Sequence, residues 1–81
     1  MYSINREFGK QLKEHRELRK LNQIEFGKLL SYSQAEMSKI ENGLIDITIN
    51  QYIQIIESLE VDIIIRTLTL KTKLIIKHKL L

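Results

Sequence analysis

The stretch LNQIEFGKLLSYSQAEMSKIENG, residues 21–43, decides the fold, because it holds two helix starts within a dozen residues. Asn22 is followed three residues on by Glu25, and Ser33 by Glu36. In each pair the first side chain can accept from an unpaired backbone N–H of the opening turn. The second can reach back to the cap residue's own N–H, which completes a capping box. The same grammar recurs downstream at Thr48 and Gln51. A single match is weak evidence, but three in tandem, each opening an apolar-periodic segment, predict helices over about residues 22–30, 33–41 and 48–59. Asn42-Gly43 closes the second of these, since either residue tolerates the left-handed conformation that ends a helix. Upstream, residues 3–20 are predicted as another helix: Phe8 and Leu12 are four apart, Arg16 lies one turn on, and charges fill most other positions.

Bulk properties agree with a compact helical unit. A chain of 81 residues is one domain, near the lower size at which a single core is comfortably stable. Cysteine is absent, so neither disulfides nor a thiolate metal site can supplement that core, and a reducing compartment is expected. No apolar run approaches the ~20 residues of a membrane span, and the N-terminus lacks the apolar block of a secretory signal. A cytoplasmic protein is the expectation. Proline is absent and only Gly9, Gly27 and Gly43 are present, so long irregular loops are not expected.

Charge is unevenly spread. Residues 1–20 carry +3, residues 21–65 carry −5, and residues 66–81 carry +5 from Arg66, Lys71, Lys73, Lys77 and Lys79. The basic ends permit a polyanionic partner.

After Leu59 the composition changes. Residues 61–70 read VDIIIRTLTL, and so many β-branched side chains predict a strand. Val61, Ile63 and Ile65 would lie on one face and Ile64, Leu68 and Leu70 on the other. A strand apolar on both faces needs cover on both, and the simplest partner is the same strand of a second chain. The chain thus divides into residues 1–60 as a helical unit and residues 61–81 as a dimerising strand and basic tail.

Two helices of about eight residues joined by a turn of about three have the dimensions of a helix-turn-helix. Gly27 falls mid-helix, where glycine costs about 1 kcal/mol relative to alanine. It makes sense if the following helix crosses too closely for a larger side chain. Phe26, Leu30, Met37 and Ile40 fall where two crossing helices would bury them. Gln34, Ala35, Ser38 and Lys39 are left outward, and they suit a major groove: the amide can pair with adenine and the alanine can contact a thymine methyl.

These residues carry a resemblance. With Arg16, Leu21-Asn22-Gln23, Phe26-Gly27, Leu30, Ser33, Met37, Ile40 and Glu41-Asn42-Gly43 in place, the chain over roughly residues 8–61 resembles the lambda-repressor-like, or Xre-type, helix-turn-helix domain. The resemblance implies a mainly α bundle that binds double-stranded DNA. It implies base readout from Gln34, Ala35, Ser38 and Lys39, and phosphate contacts from Gln23, Ser33 and Asn42. It further implies an ion pair between Arg16 and Glu41. Two departures stand out: where the family's turns usually hold glycine this chain has Lys20 and Ser31, each of which can adopt the left-handed conformation at a cost of roughly 1 kcal/mol or more. Downstream, ITINQYIQIIESLEVDIII looks like the fourth helix and dimerising strand of HipB-type antitoxins. That resemblance implies a homodimer paired through Val61, Ile63, Ile64, Ile65 and Leu68, autorepression, and a kinase-type toxin as partner.

Chemistry of other kinds finds no support. His15 and His78 lack the spacing of a metal site. There is no nucleophile elbow, glycine-rich phosphate loop or clustered carboxylate set, so neither an enzyme nor a cofactor protein is expected. The expected function is repression of a palindromic operator by a homodimer, as the autoregulating antitoxin of a HipBA-like type II toxin–antitoxin operon, with a stand-alone phage, plasmid or restriction-modification control regulator of the Xre type as the alternative. A protein-interaction module is the alternative from another class.

Overall fold

The computed structural model describes residues 4–80. Four helices follow one another: α1 (Ile4–Leu18), α2 (Gln23–Leu30), α3 (Gln34–Glu41) and α4 (Ile49–Leu80). The expected start of α1 at Ser3 and the final residue, Leu81, lie outside the described residues.

All three capping boxes are present. Asn22 Oδ1 accepts from Glu25 N at 2.8 Å, Ser33 Oγ from Glu36 N at 3.2 Å, and Thr48 Oγ1 from Gln51 N at 3.2 Å. The second side chain of each pair accepts from the cap residue's N–H at 2.9–3.0 Å. Each start therefore satisfies two orphan donors, worth on the order of 1 kcal/mol per cap.

The helix ends also share a device. Lys20, Ser31 and Gly43 adopt positive φ of 58°, 67° and 68°. The residue after each donates its N–H five residues back: Leu21 to Arg16 O, Tyr32 to Gly27 O, and Leu44 to Lys39 O. This closure ties up carbonyls that the helix end leaves open. It lets three short helices turn sharply without long loops.

The core is built from Leu12, Phe26, Leu30, Met37, Ile40 and Ile55, all buried, with Phe8, Leu21, Ile45 and Leu59 packed partly against them. Phe8 meets Tyr52 edge-on at 4.5 Å between ring centroids, which ties α1 to α4. Asn5 holds the α3–α4 loop: its Nδ2 donates to Asp46 at 2.8 Å and its Oδ1 accepts from Tyr52 Oη at 3.0 Å.

Two glycines set the tight approaches. A methyl group at Gly9 would collide with the Ile40 carbonyl oxygen and sit 2.7 Å from that of Glu41, so α1 crosses the end of α3 backbone to side-chain-free backbone. At Gly27 a methyl would strike the Tyr32 carbonyl first, and Met37 Cγ of α3 at 3.1 Å only second. The turn itself, more than the crossing of α3, excludes a side chain there.

The predicted C-terminal strand is not formed: the described residues contain no strand, and α4 continues without a break past Leu59 to Leu80. Val61, Ile63, Ile64, Ile65 and Leu68, assigned to the two faces of a dimerising strand, are consecutive turns of this helix and are exposed. Strand preference spans only about 1 kcal/mol and depends on neighbours to pair with. Among the described residues no second strand offers a ladder, whereas a helix satisfies every backbone group within the segment. No proline or glycine interrupts residues 49–80, and the last turn carries Lys77, His78 and Lys79, which suit the negative end of the helix dipole. No helix among the described residues is long and apolar enough to cross a membrane.

Candidate nucleic-acid interface

The second and third helices form the exposed unit. Met37, Ile40 and Glu41 turn one side of α3 into the core. Gln34, Ala35 and Lys39 lie exposed on the opposite arc, with Ser38 half-buried beside them. The structure thus brings all four candidate base readers onto one surface strip of a single helix. Glu36 is the one acid of that helix outside the core, and its carboxylate is turned back onto Ser33 N at 3.0 Å. The Ser33 backbone N–H first, and then the Ser33 hydroxyl, hold the Glu36 carboxyl below its usual range. Its charge therefore serves the helix start.

The candidate phosphate contacts are placed differently. Ser33 and Asn42 are exposed at the two ends of α3. Ser33 Oγ accepts from Glu36 N and its hydroxyl also faces the Glu36 carboxyl, so the cap engages it on both counts. Asn42 Nδ2 donates to Ser38 O at 2.7 Å, so one of its two N–H groups already caps the helix. Gln23 is half-buried at the start of α2, and its Nε2 donates to Glu41 Oε1 at 3.2 Å. An amide nitrogen carries two hydrogens, so one remains for an outside acceptor.

Behind this surface lies a buried polar knot. Arg16 grips Glu41 with two hydrogen bonds, Nε to Oε2 at 2.8 Å and Nη2 to Oε1 at 3.0 Å. A third, from Nη1 to Leu21 O at 3.0 Å, fixes the α1–α2 turn. The side chains are only 13% and 2% exposed. The hydrogen bond to Glu41 raises the Arg16 pKa above its ordinary value, against the opposing pull of burial. Arg16, Glu41 and Gln23 together lock α1, the start of α2 and the end of α3 into one orientation, and that orientation aims the exposed strip of α3.

A second ion pair was not foreseen from the sequence. Arg19 Nε and Arg66 Nε each donate to Asp62 Oδ2 at 2.9 Å, and Arg19 and Asp62 are 8% and 13% exposed. Burial pushes the Asp62 carboxyl up, but hydrogen bonding from Arg19 and the charge of Arg66 outweigh it and leave the group below its usual value. The available signal was a lone aspartate inside an otherwise apolar run. Gly9 was likewise passed over, although a glycine inside the first helix marks a close approach as Gly27 does.

No curated protein and no solved structure matches the chain significantly. The helix-turn-helix domain family matches residues 7–63, which takes in most of α1, all of α2 and α3, and the domain-bound part of α4. The chain therefore belongs to the helix-turn-helix domain family, as an Xre-like DNA-binding domain with α3 as its exposed second motif helix.

Proposed function

We propose that the protein is a sequence-specific transcriptional repressor that binds a palindromic operator as a homodimer, one α3 per half-site, and acts by occupying promoters, its own included. The exposed strip of α3 carries this reading: an amide, a methyl, a hydroxyl and one lysine, with the exposed acid of that helix, Glu36, turned back onto its cap. Gln34 would pair with an adenine edge and Ala35 would meet a thymine methyl. Ser38 and Lys39 would complete the base contacts, while Gln23, Ser33 and Asn42 would bind phosphates and set the register. Such a repressor works in the bacterial cytoplasm, on the nucleoid.

The stand-alone phage, plasmid or restriction-modification regulator is the context we favour. The HipB-type antitoxin with its kinase-type toxin partner is the second reading: it rests on the resemblance of residues 47–65 to a fourth helix and dimerising strand, and the strand part of that segment is helical here.

The test starts from a binding site selected out of a randomised duplex pool, followed by mobility shift at low and high salt. Gln34→Ala should cost about 1–3 kcal/mol and relax preference at one base pair per half-site. Gln23→Ala should weaken all sequences alike. Equal loss of preference in both variants would sink the division into base and phosphate contacts. No shift of any duplex at low salt would leave the protein-interaction module in its place.

A further inference from the structure

Beyond Asp62, α4 leaves the domain. Residues 63–79 are all exposed, in a molecule 56 Å long and 22–23 Å across. The side of α4 that faces the domain through Tyr52, Ile55, Leu59 and Asp62 continues as Arg66, Thr69 and Lys73, so it turns polar where the domain ends. A neighbouring stripe stays apolar. Val61, Ile65, Leu68, Thr72 and Ile75 recur at alternating four- and three-residue steps, the seam spacing of a coiled coil. Ile64 and Ile76 flank the seam, and its aliphatic members are 51–58% exposed.

The stripe reads nearly the same from either end: an Ile-Ile pair at 64–65, Leu68, Thr72, and an Ile-Ile pair at 75–76, symmetric about position 70. A seam with that symmetry matches itself when one copy is reversed. We propose that a second copy of this chain covers the stripe, with α4 antiparallel to α4 and the two-fold axis beside position 70. This rests on the homodimer of the preceding section and says how it is built. Ile65 then meets Ile75 of the second copy, Leu68 meets Thr72, and Val61 meets the aliphatic stem of Lys79.

Charge selects the direction. Glu57, Glu60 and Asp62 mark one end of the segment, and every later charge, Arg66 to Lys79, is basic. Antiparallel pairing sets Lys77 and Lys79 level with the acidic turn of the other copy, whereas parallel pairing sets lysines against lysines. The domain also prepares a seat. An open groove of about 490 Å³ runs between Leu29 and Leu30 of α2 and Val61 and Ile65 of α4. It is continuous with the stripe, so the last turns of the second copy enter it.

The area suffices. Six half-exposed aliphatic side chains, with on the order of 90 Å² each to cover, give roughly 1,100 Å² over two copies, above the ~1,000 Å² of a specific interface. The spacing also works: at ~1.5 Å per residue the two Ile55 anchors stand on the order of 45 Å apart. The two domains therefore stand at opposite ends of the paired helices.

The chain has no cysteine, so paired cysteines report the register. In the antiparallel pair, Ile65→Cys lies about 15 Å from its own copy along the axis, as does Ile75→Cys, beyond the roughly 4.4–6.8 Å Cα separation of a disulfide. Under mild oxidation neither variant should cross-link alone, and the two mixed should form a covalent dimer. Ile63→Cys mixed with Leu74→Cys, on the opposite side, should not. Light scattering should give the parent twice 9.6 kDa, and Leu68→Lys should give the single mass with its thermal unfolding transition retained. A parent of single mass, self-linking of either seam variant, or linking through Ile63→Cys and Leu74→Cys would overturn the antiparallel seam. These readouts need no DNA. A dimer that fails to bind any duplex would count against the repressor alone, whereas Leu68→Lys should bind a half-site duplex as the parent does and lose at least tenfold on the full site.

Discussion

Removing Glu41 should damage the protein more than any exposed acid could, and replacing its whole ion pair should restore most of the loss. Glu41 accepts two hydrogen bonds from Arg16 at 2.8 and 3.0 Å and one from Gln23 at 3.2 Å. Its side chain is 2% exposed and that of Arg16 is 13% exposed. In Glu41→Ala the guanidinium keeps its bond to Leu21 O, but two of its donors are left facing a dry interior. Breaking a buried pair in this way typically costs about 3–5 kcal/mol. A chain of 81 residues holds a total stability of only about 4–12 kcal/mol. At roughly 4–8 °C per kcal/mol for a domain of this size, the melting temperature should fall by at least about 12 °C. Arg16→Met should do comparable harm, because it strands the Glu41 carboxylate with Gln23 alone. The double variant Arg16→Met/Glu41→Leu removes both charges and refills the volume, and such replacements are often neutral. Urea unfolding followed by circular dichroism, at one fixed protein concentration because dimerisation contributes, gives the full double-mutant cycle. If Glu41→Ala stays within about 1 kcal/mol of the parent, or the double variant is as damaged as the sum of the singles, the pair is not the buried lock described above.

Two further outcomes follow from the geometry. Gly9→Ala should destabilise by about 1–3 kcal/mol, since the added methyl meets carbonyl oxygens of Ile40 and Glu41 that cannot rotate away; an unchanged melting temperature would contradict the close crossing of α1 and α3. The Asp62 carboxyl is held below its usual value, so its contribution is present above the unfolded-state pKa of about 3.9 and is lost as pH falls through the lower folded value. Asp62→Asn should therefore be less stable than the parent at pH 7, with the gap closing toward pH 3; a gap independent of pH would show that the Arg19–Asp62 pair contributes nothing through its charge.

Local structure at the helix starts was written in the chain itself. A cap and its reciprocal partner lie three residues apart, so Asn22–Glu25, Ser33–Glu36 and Thr48–Gln51 can be read from sequence and are formed. The same holds for the buried side of the motif, because Phe26, Leu30, Met37 and Ile40 repeat with the helical period and are in the core. The exposed strip of α3 follows as the complement of that side.

What only the tertiary structure decided are the pairings between residues far apart in the chain, and the state of residues 61–80. Arg19 and Asp62 are separated by 43 positions, and no local rule links them. Gly9 owes its identity to the carbonyls of Ile40 and Glu41, which reach it only when α3 docks. For residues 61–70, β-branched composition favoured a strand, but a strand exists only with a partner, while a helix carries its own hydrogen bonds and needs only an anchor. Leu59 in the core margin and Asp62 between two arginines supply that anchor. Composition describes each residue's preference one at a time; the choice between strand and helix turned on which neighbours the folded chain provides.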